Sequence, residues 1–201
     1  MGHTVTGRGR PRLADAKTLA ARALSVLDLH GYRDCTMSDV AAEVGLSIRT
    51  LHRYFPTKAD IVWGPVDTSF ATLRRRLDET PIDVPLQVAL RDGITASFAD
   101  HDEDELTTRM RMRLIGRTPE LHSHGSEPFV RWRQAITDFV ATRTGSEPTA
   151  LLAVVAGAAV QATTMSALTW WATHGAADDP VGVVCEALDA LEVGFTASFA
   201  R

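Results

Sequence analysis

The residues best equipped for chemistry lie between Thr36 and Lys58, where Arg49, Thr50, His52, Arg53 and Tyr54 follow closely on one another. An arginine can donate two parallel hydrogen bonds to a guanine edge, and a threonine can touch a base or a thymine methyl. Histidine, arginine and tyrosine at neighbouring positions reach base edges or backbone phosphates. Lys58, at a helix start, adds a positive charge and free backbone amides of the kind that face phosphate. Thr36, Ser38 and Ser47 complete the candidate DNA-contacting set. This is recognition chemistry aimed at a polyanionic duplex, with no bond to break. An ordinary helical hairpin with a solvated polar face would show the same spacing.

A second group lies further along the chain. Arg109 and Arg113 are four apart, so one helix face would present both to a diphosphate or carboxylate. Trp63, Phe98, Met110, Phe129, Trp132, Met165 and Trp170 are candidates to line an apolar cavity, with Gln161 as a polar contact. The same aromatics and methionines would also serve as plain core. Other constellations carry less. His122-Ser-His124 lacks a nearby carboxylate or thiol at a familiar ligand spacing, and the run from His101 to Glu105 reads as a solvated helix junction. No Gly-x-Ser-x-Gly elbow or phosphate loop accompanies the serines and histidines, so neither an enzyme, a catalytic residue, a metal nor a cofactor is expected. Cys35 and Cys185 form no CxxC pattern and read as reduced, partly buried thiols.

These residues need elements to hold them. Leu13, Ala16, Ala20, Ala23 and Leu27 alternate in steps of three and four, which predicts an amphipathic helix closed by His30-Gly31. Thr36 with Asp39 resembles a capping box. Val40 and Val44 share a face of the short helix that follows, and Gly45 stops it. Ser47 caps the next helix, with Leu51 and Phe55 facing inward, and Pro56 ends it. Small Ala41 and Ala42 let the two helices approach. Two short helices joined by Gly45-Leu46-Ser47 form a helix-turn-helix, which seats its second helix in a major groove. Thr57 caps a further helix beginning near Lys58. Helices are then predicted over 58–79, 84–101, 103–117, 127–144, 148–174 and 180–199, with prolines at or beside their boundaries. No strand pattern, internal repeat or low-complexity tract is evident.

Charge divides the chain in the same place. Residues 1–63 carry nine Lys/Arg against six Asp/Glu, whereas residues 64–201 carry twelve against nineteen. A basic front with Arg8, Arg10 and Arg12 in a glycine-rich arm suits DNA, and an acidic body suits another task. Residues 148–173 lack any charge, yet Gln161, Thr163, Thr164, Ser166 and Thr169 interrupt them, which favours a buried or interfacial helix over a membrane span. No secretory signal is visible at the start. The reading is an all-α protein with a DNA-binding domain over 1–62 and a helical ligand-binding and dimerisation domain over 63–201.

The stretch from Leu13 to Ile61 resembles the TetR family of bacterial regulators. The resemblance rests on His30-Gly31-Tyr32, Thr36-x-x-Asp39-Val40-Ala41, Gly45-Leu46-Ser47, Thr50-Leu51-x-x-Tyr54-Phe55 and Lys58. It implies phosphate contacts for Tyr54 and Lys58, and base or backbone contacts around Arg49, Thr50 and His52. His52 departs from the family, which more often has tyrosine there. The resemblance also implies a cytoplasmic homodimer that binds palindromic operator DNA and is released by a small-molecule effector. The helices near 148–174 and 180–199 are suited to an intersubunit four-helix bundle, with Ala156, Gly157, Ala158 and Ala159 for close approach and Leu151, Val155, Leu188 and Leu191 for apolar contact. The body is similar to regulators associated with mycofactocin gene clusters, through Ile61-Val-Trp63-Gly64, the Arg109–Arg113 run, Thr118-Pro-Glu-Leu121 and Trp132-Arg133. That likeness implies an acyl-coenzyme-A-like or other fatty ligand. Two other readings stay open: a regulator whose body senses a partner protein or nothing, and, more remotely, a helical enzyme.

Overall fold

The computed structural model describes residues 13–64, 66–99, 103–123, 127–174 and 179–193. Every regular element among them is an α-helix. The basic arm, His101, His124 and the end of the last predicted helix lie outside the described residues. The chain divides into two compact units, Met1–Val62 and Trp63–Arg201.

The first unit contains α1 (Leu13–His30), α2 (Met37–Glu43), α3 (Ile48–Tyr54) and most of α4 (Lys58–Trp63). The periodicity of α1 buries Ala23, Leu24 and Leu27. α2 packs on α1 and α3, and its Val40, Ala41 and Val44 are buried along with Leu51 of α3. Each fully buried leucine here contributes about 1.5–3 kcal/mol. Ala42, read as a close-approach residue, is instead exposed, and Phe55 is only half-buried. A single arm of the α2–α3 pair, Ala41, therefore supplies the small contact.

The second unit contains α5 (Val66–Glu79), α6 (Leu86–Ala99), α7 (Glu105–Arg117), α8 (Pro119–Ser123), α9 (Glu127–Thr144), α10 (Leu151–Thr173) and α11 (Pro180–Val193). α10 is the axis, packed by α7, α9 and α11, while α5 and α6 pair beside α9 and α11. The core includes Leu73, Leu77, Ile94, Ile136, Leu168 and Val184. By length and composition α10 is apolar enough to cross a membrane. One of its faces, however, is packed into the unit through Ala153, Gly157, Val160, Thr164 and Trp171.

Three features differ from the sequence expectations. The segment 58–79 is two helices, because Gly64 adopts φ 58° and Pro65 follows. A left-handed glycine ends the first helix, and proline bars the residue before it from helical geometry. A short helix, α8, occupies Pro119–Ser123 between two longer ones. Gly157 lies inside the subunit rather than at a face between subunits. A Cβ there would sit 2.1 Å from Thr137 Oγ1, so the glycine sets the crossing of α10 with α9.

Candidate nucleic-acid interface and helical cavity

α3 is held at both ends and on one side. Ser47 Oγ accepts the Thr50 amide proton at 3.1 Å, and Phe55 N–H returns to the Leu51 carbonyl. Leu51 is fully buried and fixes the helix rotation. Arg49, His52 and Arg53 are therefore exposed together, with Thr50 and Tyr54 half-buried beside them. Thr50 Oγ1 lies 2.8 Å from Ser47 Oγ, so both hydroxyls already have one local partner. His52 Nδ1 lies 3.0 Å from the Pro56 carbonyl oxygen. That oxygen only accepts, so Nδ1 is the donor and Nε2 is left for an outside partner.

The helix starts around α3 are capped by their own side chains. Thr36 N–H and Oγ1–H both donate to Asp39 Oδ2, at 2.8 and 2.6 Å, and Asp39 N–H donates back to Thr36 Oγ1 at 3.2 Å. The Thr36 hydroxyl, followed by the Thr36 amide, holds the Asp39 carboxyl below the usual aspartate range. Thr57 and Asp60 repeat the arrangement at α4. Thr36 is thus occupied as a cap, while Ser38 is exposed.

Lys58 is turned inward. Its Nζ donates to the Cys35 carbonyl at 2.8 Å and to the Tyr32 carbonyl, and lies 4.5 Å from the Tyr32 ring centroid. It ties the start of α4 to the link between α1 and α2. Burial pushes the neighbouring Cys35 thiol above its ordinary value, with Asp39 adding to the shift.

In the second unit, some of the candidate ligand residues converge. An open groove of about 630 Å³ runs over the exposed side of α10, flanked by Gly116 of α7 and by α9, and is lined by Phe129, Gln161, Met165 and Trp170 from that set. The Trp63 ring packs 5.6 Å from that of Phe129. Phe98 and Trp132 pack against the hydrophobic core instead. Met110 and Arg113 are half-buried on α7 and do not line the groove. Arg109 does not line it either: it donates to the Trp171 carbonyl at 3.1 Å and to Glu105 at 3.0 Å, and stacks on the Trp171 ring at 4.1 Å.

Sequence reasoning passed over two sets of residues. Arg133, Ser166, Thr169 and His174 also line the groove. Ser166 and Thr169 on α10 are three apart, and His174, which caps the end of that helix, lies four beyond Trp170, a helical stripe visible in the spacing. Arg111 was passed over because it sits in the middle of a charged run. Its side chain is only 6% exposed and forms a bidentate pair with Glu103, at 2.5 and 3.1 Å. Glu103 is accordingly not part of a solvated junction, and Asp104 beside it caps α7 by accepting the Thr107 amide proton at 2.9 Å. Among the described residues no cluster of metal-ligating side chains occurs.

Comparison with known proteins places this architecture. The family model for bacterial regulatory proteins of the TetR family matches residues 19–62, and that for the MftR C-terminal domain matches residues 84–196, more than half of the chain. The chain belongs to the TetR family of transcriptional regulators. A protein provisionally named as the mycofactocin biosynthesis transcriptional regulator MftR of Mycobacterium tuberculosis is 32% identical over 191 residues, covering 90% of this chain and 96% of the relative. Among solved structures, the fatty acid degradation regulator FadR of Bacillus halodurans aligns with TM-score 0.66 at 16% identity, covering 92% of this chain and 98% of that one. The FadR repressor of Thermus thermophilus, in complex with lauroyl-CoA, aligns with TM-score 0.53 at 17% identity, covering 88% and 93%. At these identities the two structures share the fold of this TetR-family chain. The family is one of DNA-binding regulators, generally without enzymatic activity.

Proposed function

We propose that this TetR-family regulator is a cytoplasmic, homodimeric repressor that leaves a palindromic operator when a small apolar or acyl-CoA-like effector fills its helical body. The observation that carries the DNA half is the exposed group Arg49, His52 and Arg53 on a helix fixed by its cap and by buried Leu51. Arg49 and Thr50 read base edges, and Tyr54 with Arg53 takes phosphates. Thr36, Ser38, Ser47 and Lys58 border this surface from neighbouring helix starts.

Pairing is supported by an exposed apolar stripe on α10, where Leu151 is 76% and Val155 51% exposed. A second copy using the same stripe would make a self-complementary interface. The effector half is supported by the fold neighbours, one of which was solved in complex with lauroyl-CoA. Release follows if the effector binds the DNA-free conformation more tightly, because a ligand shifts an equilibrium only by its difference in affinity.

Fluorescence anisotropy against the gene's own upstream DNA tests the reading, repeated with lauroyl-CoA present. Specific binding that weakens steeply with salt and is reversed by lauroyl-CoA is the expected result. Absence of sequence-specific binding at low salt would overturn it.

A further inference from the structure

Resting on the reading of α3 as the helix that enters the major groove, we propose that His52 is a hydrogen-bond acceptor that selects an exocyclic amino group, that of cytosine before adenine, at one base pair of each operator half-site. His52 lies in the last turn of α3, and Arg49, three residues before it, shares its exposed side. Side chains at that spacing stand about 5–6 Å apart at Cβ, so both reach the same half-site.

The ring is already oriented. Nδ1 lies 3.0 Å from the Pro56 carbonyl oxygen. Pro56 follows Phe55, whose backbone is extended, so this carbonyl stands outside the ladder of α3. A carbonyl only accepts, which puts the ring proton on Nδ1 and leaves the neutral ring with a bare lone pair on Nε2. The two ring nitrogens diverge, so Nε2 is turned away from the Pro56 backbone. His52 is exposed, and among the described residues no other group bonds its ring.

An acceptor of this kind has nothing to offer the DNA backbone. Phosphate oxygens also accept only, and a neutral Nε2 holds no hydrogen to give them. In the major groove the hydrogens on offer are the amino groups of cytosine and adenine, whereas guanine O6 and N7 and thymine O4 present lone pairs. Adenine also sets N7, a second acceptor, beside its amino group, where it would face the Nε2 lone pair. Cytosine has no such neighbour and is therefore preferred. The wrong base costs twice, because the amino hydrogen is lost and two lone pairs confront each other. Arg49 and Arg53 carry only donors, suited to guanine or to phosphate. His52 thus gives this side of α3 an acceptor that its arginines lack.

The test is selection of binding sites by the full-length protein, at mildly alkaline pH, from a library of duplexes with a randomised core. One pair of each half-site, C·G or less often A·T, is expected to become indifferent in His52→Ala while the rest of the motif is kept. Loss of the Pro56 bond alone would weaken all sites alike, so a change confined to one pair separates reading from support. At the selected site, pyrimidin-2-one in place of the cytosine, or purine in place of the adenine, removes only the amino group. Wild-type binding should fall about three- to tenfold, and His52→Ala binding should not. His52→Arg, which offers only donors, should become sensitive instead to 7-deaza substitution of the purine in that pair. A motif unchanged by His52→Ala, or a wild type indifferent to the amino group at the His52-dependent pair, would overturn the acceptor role and leave the DNA-binding reading intact. A wild type that enriches no motif would remove both.

Discussion

Gly64 and Arg111 meet so closely that a Cβ on the glycine would lie 2.6 Å from Arg111 Nη1. The glycine stands at φ 58° between α4 and α5, and the arginine is buried in its pair with Glu103. Gly64→Ala therefore meets two obstacles, a left-handed backbone and an occupied space. A stability loss of about 1–3 kcal/mol in urea unfolding is expected. An unchanged midpoint would show that the guanidinium yields freely.

The pair itself gives a sharper test. Arg111→Met strands the Glu103 carboxylate, whose side chain is 17% exposed, and breaking such a buried pair costs about 3–5 kcal/mol. The double variant Arg111→Met with Glu103→Gln should lose less than Arg111→Met alone, because no charge is left buried. If the two losses simply add, the carboxylate is hydrated in the folded protein.

Arg49 and Lys58 should separate recognition from architecture. Arg49→Ala removes an exposed side chain, so melting temperature should hold while operator affinity falls by about 5- to 150-fold. Lys58→Met removes the donor to the Tyr32 and Cys35 carbonyls, so melting temperature should fall. Its salt slope of DNA binding should stay as in the wild type. A slope lower by about one, with stability intact, would instead make Lys58 a phosphate contact.

Acid should act through the caps. Asp39 and Asp104 have carboxyl groups held below the ordinary 3.8, chiefly by hydrogen bonds from Thr36 and Thr107. A depressed folded-state value stabilises above the unfolded value and is lost as pH falls through the folded one. The melting-temperature gap between wild type and Asp39→Ala should be full at neutral pH and should close below pH 3.8. A gap independent of pH would mean that the protonated side chain caps as well.

The sequence made the first unit readable because its signals are local. The Thr36–Asp39 box, the Ser47 cap and the periodicity that buries Leu27 and Leu51 all act within one or two helical turns. The groove was readable in part, through aromatics on the helices that form it. What escaped were relations set only by packing. Glu103 and Arg111 stand eight apart, beyond the three- and four-residue spacing that marks neighbours on a helix. Arg109 and Arg113 share that spacing, yet α10 claims Arg109 through the Trp171 carbonyl. Gly157 sits among alanines that would suit any close contact, and only the position of Thr137 shows which helix it meets. The break at Gly64-Pro65 was legible from residue type, although the apolar pattern on either side invited a continuous helix.

The two sides of α10 have separate occupations. One packs against α7, α9 and α11, and the other carries Leu151, Val155, Ala158, Ala162 and Trp170 outward. Substitutions on the outer side leave the packed side untouched, so they are cheap for folding. Selection can thus retune what this helix meets, one residue at a time, along a rod whose foundations stay put. Drift in chemical taste and conservation of fold are compatible here because they draw on different sides of the same twenty-three residues.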